Sequence, residues 1–212
     1  MRPMENAVSY NSLRLQVGNG NASAADIADY SWPKAPHPSS VLGLLRAKTG
    51  VDFDLPSEAQ WEFAARAGHG VGYWNDGTAV KNSSPDANLT RLARYGGSTS
   101  LPGTTPPEEG GTAIVGSYAP SDWGLYDMHG NVYEMCLDWY QDDLSSSDGS
   151  VNIKVLDPSK TLSGVTGGNR ACRGGGWEAS ATNLRPAYRF GTNPGGGYFS
   201  IGFRVVCTAG LR

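Results

Sequence analysis

Cys172-Arg-Gly-Gly-Gly-Trp177 and Ile201-Gly-Phe-Arg-Val-Val206 bracket the stretch whose reading decides the fold of this chain. The two borders read as fixed scaffold. Between them runs Glu178-Ala-Ser-Ala-Thr-Asn-Leu-Arg-Pro-Ala-Tyr-Arg-Phe-Gly-Thr-Asn-Pro-Gly-Gly-Gly-Tyr-Phe-Ser200, built from small, polar and aromatic residues. Only Glu178, Arg185 and Arg189 carry charge there. Tyr and Phe give contact area at low entropy cost, while Ser, Thr, Asn and Gly adapt their hydrogen bonding. The composition is that of an adaptable binding surface rather than a catalytic pocket.

Working outward, the 212 residues suit one generous domain, large enough to bury a core without disulfides. Charged residues make up 17 % and Gly numbers 29, which indicates a structured, loop-rich chain. The net charge of −3 and the lack of a basic run argue against nucleic acid as a partner. No apolar run approaches the roughly 20 residues of a membrane helix, and Met1-Arg-Pro-Met4 does not read as a secretory leader. Cys136, Cys172 and Cys207 are too few for a disulfide framework. One bridge, between Cys136 and Cys172, stays open beside the expectation of buried free thiols.

Two helices carry start and stop signals. Ser39-Ser40 precedes Val41–Thr49 and Gly50 ends it, with Val41, Leu44 and Leu45 spaced as one apolar stripe. Ser57 and Gln60 form a capping box for the segment from Glu58 to Ala67, closed by Gly68, with Trp61, Ala64 and Ala65 on one face. Short strands are expected at Ala113–Tyr118, Val132–Asp138, Asn169–Gly174 and Gly202–Val206. Leu144–Ser150 reads as a polar loop, and residues 11–38 as an irregular insertion.

Three segments in register then give a resemblance: Leu55-Pro-Ser-Glu-Ala-Gln-Trp-Glu-Phe-Ala-Ala-Arg-Ala-Gly68; Asp122-Trp-Gly-Leu-Tyr-Asp-Met-His-Gly-Asn-Val-Tyr-Glu134 with Asp138-Trp-Tyr140; and the two C-terminal borders. Together they resemble the formylglycine-generating-enzyme (sulfatase-modifying factor) type of C-type lectin fold. The resemblance implies a single α+β domain, residues 1–212, with two helices, small twisted antiparallel sheets and long loops. The insertion near 11–38 departs from the family, as does the absence of its further N-terminal strand region.

The family's enzymes oxidise a substrate cysteine with copper held by two cysteines. The matching places here are Ala179 and Leu184, which offer no soft sulfur ligand. An enzyme of that kind is therefore not expected, and no catalytic cofactor is implied. His37, His69 and His129 show no ligand spacing and read as surface or capping residues.

The same fold type also serves the variable proteins of diversity-generating retroelements, whose variable window lies between borders of this kind. That resemblance implies a variable binding region near 171–200, facing a protein or other macromolecular ligand, and a cell-surface or extracellular location. Ala179, Ser180, Thr182, Leu184, Tyr188, Phe190, Gly191, Thr192, Gly196, Tyr198, Phe199 and Ser200 resemble replaceable slots. Arg185, Ala187, Arg189 and Pro194 resemble the frame. The alternative is a catalytically inactive relative of the enzyme acting as a scaffolding domain.

Two smaller readings complete the sequence. Asp127, Gly130, Val132 and Glu134 match places where the family holds structural calcium, a cation that takes hard oxygens. Against this stands the reading that Asp127 and Glu134 simply bond nearby backbone N–H groups. Trp74-Asn75-Asp76 is similar to a motif of calcium-dependent sugar binders, but its partner motif is missing.

Overall fold

Ser40 and Ser57 start the two helices, each accepting a bond from a backbone N–H of the first turn. The computed structural model describes residues 8–15, 35–81, 83, 85–96, 111–140 and 168–207. Helix α1 spans Val41–Thr49 and ends on Gly50 in the left-handed conformation, whose N–H reaches the Arg46 carbonyl. Helix α2 spans Glu58–Arg66, with the Ser57–Gln60 capping box complete. Its left-handed end falls on Ala67, one residue before the expected Gly68.

The apolar stripe of α1 differs from expectation. Leu42 is buried and Leu44 is exposed. Gly43 lies so close to the His37 and Pro38 carbonyls that no side chain fits there, and this contact sets which face of the helix turns inward. In α2, Trp61 and Ala65 are buried as the pattern predicts.

Six short strands follow in chain order: β1 Phe53–Asp54, β2 Tyr133–Trp139, β3 Arg170–Arg173, β4 Phe190–Thr192, β5 Ile201–Phe203 and β6 Val206–Cys207. One sheet has the order β4-β3-β2-β5, and β1 pairs with β6 in a second. Most pairings are antiparallel, but β5 runs parallel to β2. The chain leaves β4, crosses the sheet through residues 193–200 and returns beside β2 in the same direction.

The sheet has two faces because strand residues alternate. Tyr133, Met135, Leu137 and Cys172 face the main core with Tyr10, Leu13, Leu15, Leu42, Trp74 and Tyr95. Cys136 and Ala171 face the other way, against Trp61, Ala65 and Met128. Cys136 and Cys172 therefore lie in different layers as free thiols, and burial pushes both thiols up in pKa. This closes the question of a bridge between them.

Two expectations are corrected here. Ala113–Tyr118 is a turn, not a strand: Gly116 has φ 73° and its N–H goes to the Asp127 carboxylate at 2.7 Å. The start of the expected insertion is not loose either. Asn11–Leu15 forms a π-helical turn with Leu13, Arg14 and Leu15 buried, and Arg14 pairs with Asp54 at 2.8 Å. The remainder of that insertion from residue 16 to 34, and the Leu144–Ser150 loop, lie outside the described residues.

Candidate ligand-binding site

Arg173, the last residue of β3, is the post on which the C-terminal segment hangs. Its side chain is fully buried, and its guanidinium donates to three successive carbonyls: Pro186 at 2.6 Å, Ala187 at 3.3 Å and Tyr188 at 2.9 Å. It also pairs with Glu62 and, at 3.4 Å, with Glu58, both on α2. Arg189 grips Glu58 with both arms of its fork, at 2.5 and 2.8 Å. Helix α2, strand β3 and residues 186–189 are thus fastened together through side chains rather than by a ladder.

Beyond this fastening the chain opens. Phe190, Tyr198 and Phe199 are 39 %, 45 % and 64 % exposed. With Tyr133, Glu178 and Ser200 they border a groove of about 500 Å3. The Tyr133 and Phe190 rings stand 5.1 Å apart, and Phe199 leans on Trp177 at 6.2 Å. Burial, then Tyr188 and Glu178, push the Tyr133 hydroxyl up to about 12, so it stays a proton donor at neutral pH. Among the described residues Glu178 is the single charged one of the lining. The loop that carries Tyr198 and Phe199 is held at its base by an Asx turn, Asn193 Oδ1 to the Gly195 N–H at 2.8 Å. It is held again by the Pro194 carbonyl, which accepts from the Asn11 N–H at 3.0 Å.

The expected slots divide into two groups. Ser180, Phe190, Tyr198 and Phe199 are exposed, and Thr182, Tyr188, Gly196 and Ser200 are partly so. Ala179, Leu184 and Thr192 are buried, which corrects their reading as surface slots. Leu184 ends a 3-10 turn over Ala181–Leu184 whose apolar residues, three apart, both point inward. Its carbonyl accepts from His129 Nδ1 at 2.8 Å. Thr192 sits opposite Arg170 on the inner side of β4. Gly191 is closed in a different way, since a Cβ there would stand 2.5 Å from the Tyr140 ring.

The other expected sites also find places. His129 is a core residue, not a surface one; burial lowers its pKa to about 4. Trp74 and Asn75 are buried, while Asp76 accepts from Thr78 and Arg91, so that motif serves the interior. At the expected calcium positions, Glu134 accepts from Trp61 Nε1 at 2.7 Å and from Arg204 Nε and Nη2, both at 2.9 Å. Arg204 also donates to the Tyr126 and Asp127 carbonyls, at 2.9 and 3.4 Å. The Gly130 N–H goes to the Gly174 carbonyl, and Val132 is buried at the head of β2. A guanidinium thus supplies the countercharge that a cation would give to Glu134; calcium itself takes six to eight oxygens. Among the described residues no three His, Cys, Asp or Glu side chains gather as a metal site.

Tyr133, Asn169 and Asn193 line the groove without having been singled out in the sequence. Only Tyr133 had a signal, the alternation of its strand.

The fold fits the comparisons with known proteins. The sulfatase-modifying factor enzyme 1-like domain matches residues 8–209. The serine/threonine-protein kinase pkn1 of Chlamydia pneumoniae is 34 % identical over 72 % of this chain and 20 % of its own length. The formylglycine-generating enzyme of Thermomonospora curvata is 31 % identical over 72 % of this chain and 48 % of its own. This chain therefore spans half or less of these relatives. Treponema denticola variable protein 1 is a solved structure with 29 % identity and a TM-score of 0.52, covering 74 % of this chain and 48 % of that one. No helix among the described residues is long and apolar enough to cross a membrane. The chain belongs to the sulfatase-modifying factor enzyme 1-like family, in its C-type lectin-like α+β form.

Proposed function

We propose that this domain is a non-enzymatic binding protein that takes a protein ligand on the aromatic groove, with the exposed part of residues 178–200 diversified by a retroelement. The observation that carries the reading is the contrast within this one segment. Residues 186–188 are bolted to buried Arg173 and Arg189 to Glu58, while Phe190, Tyr198 and Phe199 stand out from the fold. Large exposed aromatic side chains on a rigid base are the usual anchors of protein interfaces. Their exchange leaves the core untouched, because surface substitutions away from special features change stability by only about 0.5 kcal/mol. The similarity to a variable protein supports the same reading, and display at the cell surface follows from it.

A second reading, an inactive scaffolding relative of the formylglycine-generating enzymes, draws on Ala179 and Leu184 standing where two copper-binding thiols belong. Surface display of two libraries separates the ideas. Randomising Ser180, Phe190, Tyr198, Phe199 and Ser200 should leave most clones folded and yield binders on selection against unrelated proteins. Randomising Ala179, Leu184 and Thr192 should leave few folded. A first library that is mostly unfolded, or that never yields a binder, sinks the proposal.

A further inference from the structure

A second groove, of about 390 Å3, opens beside residues 185–189 and shares no lining residue with the first. Its wall carries Arg66 from the last turn of α2, Arg185 and Arg189 from the segment, and the rings of Tyr73, Tyr140 and Tyr188. We infer that this groove binds an acidic stretch of a protein partner, with Arg185 as the reading residue.

The argument is one of charge left over. Four guanidiniums meet here: Arg66, Arg173, Arg185 and Arg189. They face two carboxylates, Glu58 and Glu62. Both oxygens of Glu58 are taken by Arg189. In Glu62, Oε1 accepts from Arg66 at 2.9 and 2.6 Å, and Oε2 accepts from Arg173. Asp138, the third acid near Arg189, is half-buried and accepts from the Glu58 N–H at 2.6 Å. Among the described residues cations therefore lead four to three even with Asp138 counted. The excess rests on Arg185, which is exposed, donates through Nε to the Thr182 carbonyl at 2.9 Å, and faces no described carboxylate within ion-pair distance.

The remaining lining selects a peptide. Tyr73 is 48 % exposed, and with Tyr140 and Tyr188 it gives flat faces for a chain to lie on, with hydroxyls for its backbone. The arginine fork matches a carboxylate with two parallel bonds. On a chain of net charge −3, three arginines in one cleft do not make the extended basic track that a nucleic acid needs.

The test uses a fluorescein-labelled octaglutamate peptide, with octaglutamine as its neutral control. Fluorescence anisotropy should show saturable binding of octaglutamate alone, weakening as salt is raised. Arg185→Gln and Arg185→Glu, both at an exposed position, should weaken it by about tenfold or more. Phe199→Ser, in the other groove, should leave it unchanged. The inference falls if octaglutamate does not saturate, if both Arg185 variants bind as the parent does, or if inorganic phosphate or an oligothymidine of equal charge binds more tightly. None of these outcomes depends on the first groove or its diversification.

Discussion

The two grooves lie back to back on one stretch of chain and are made of opposite material. Neighbouring residues show it most clearly: Arg189 lines the cationic groove and Phe190 the aromatic one. The aromatic groove has one charge in its described lining, Glu178, and its Phe190, Tyr198 and Phe199 rings stand clear of the core. The cationic groove is walled by side chains tied into α2 through Glu58 and Glu62. The difference teaches that the segment between the two glycine-rich and Ile-Gly-Phe-Arg borders is not one uniform loop. It is anchored at 186–189 and open at 190 and 198–200. Its fixed half holds the shape and its open half carries exchangeable chemistry.

The hardest blow to this division is Arg173→Ala. It leaves three carbonyls and two carboxylates without their shared donor, and a broken buried ion pair costs about 3–5 kcal/mol. Urea unfolding should show a loss of that size; a loss below about 1 kcal/mol would mean the segment is not anchored where we place it.

Acid separates the two grooves next. His129 holds the 3-10 turn at the start of the segment through the Leu184 carbonyl, and burial lowers its pKa to about 4. Its contribution is complete above the ordinary value near 6.5 and is lost as pH falls toward 4. Asp138 backs the cationic side through the Glu58 N–H, and burial raises its pKa to about 6. The sign is reversed: its contribution is present below about 4 and is lost as pH rises through 6. The two trends oppose one another between pH 6 and 4. Asp138→Asn should therefore expose the histidine alone, with stability falling by about 3 kcal/mol from pH 6.5 to 4 and the parent changing much less. Parallel curves for the two proteins would overturn the opposition.

The smallest expected effect is the most telling for function. Phe199→Ser should change stability by no more than about 0.5 kcal/mol, because that ring is mostly in water. A loss above about 1.5 kcal/mol would place Phe199 in the fixed half and narrow the exchangeable surface to its neighbours.

Much of the frame was legible in the sequence because its signals are local. Ser57 and Gln60 announce α2, and Gly50 announces the end of α1. The strands β2 and β3 follow from alternation. The segment 178–200 has no period to read, and there the sequence was ambiguous. Ala179, Leu184 and Thr192 look as replaceable as Ser180 or Phe199. Only the 3-10 turn and the pairing of β4 show that they point inward. β4 itself escaped because Gly191 interrupts it, and that glycine is there for the Tyr140 ring. His129 reads as a surface histidine until its bond to a residue 55 positions away is seen. Glu134 and Asp127 read as ligands in the sequence, which gives no sign that Arg204, far along the chain, takes the Glu134 carboxylate or that the Asp127 carboxylate takes the Gly116 N–H.

The bond from the Asn11 N–H to the Pro194 carbonyl has a practical meaning. It joins the opening of the described chain to the loop that presents Tyr198 and Phe199, and the Arg170 guanidinium, stacked 3.9 Å from Tyr10 and 3.4 Å from Trp139, reinforces the same junction. A C-terminal fragment grafted into another host would arrive without its clasp. The transplantable unit is the late loop together with residues 8–15, two pieces that sit far apart in the gene and side by side in the protein.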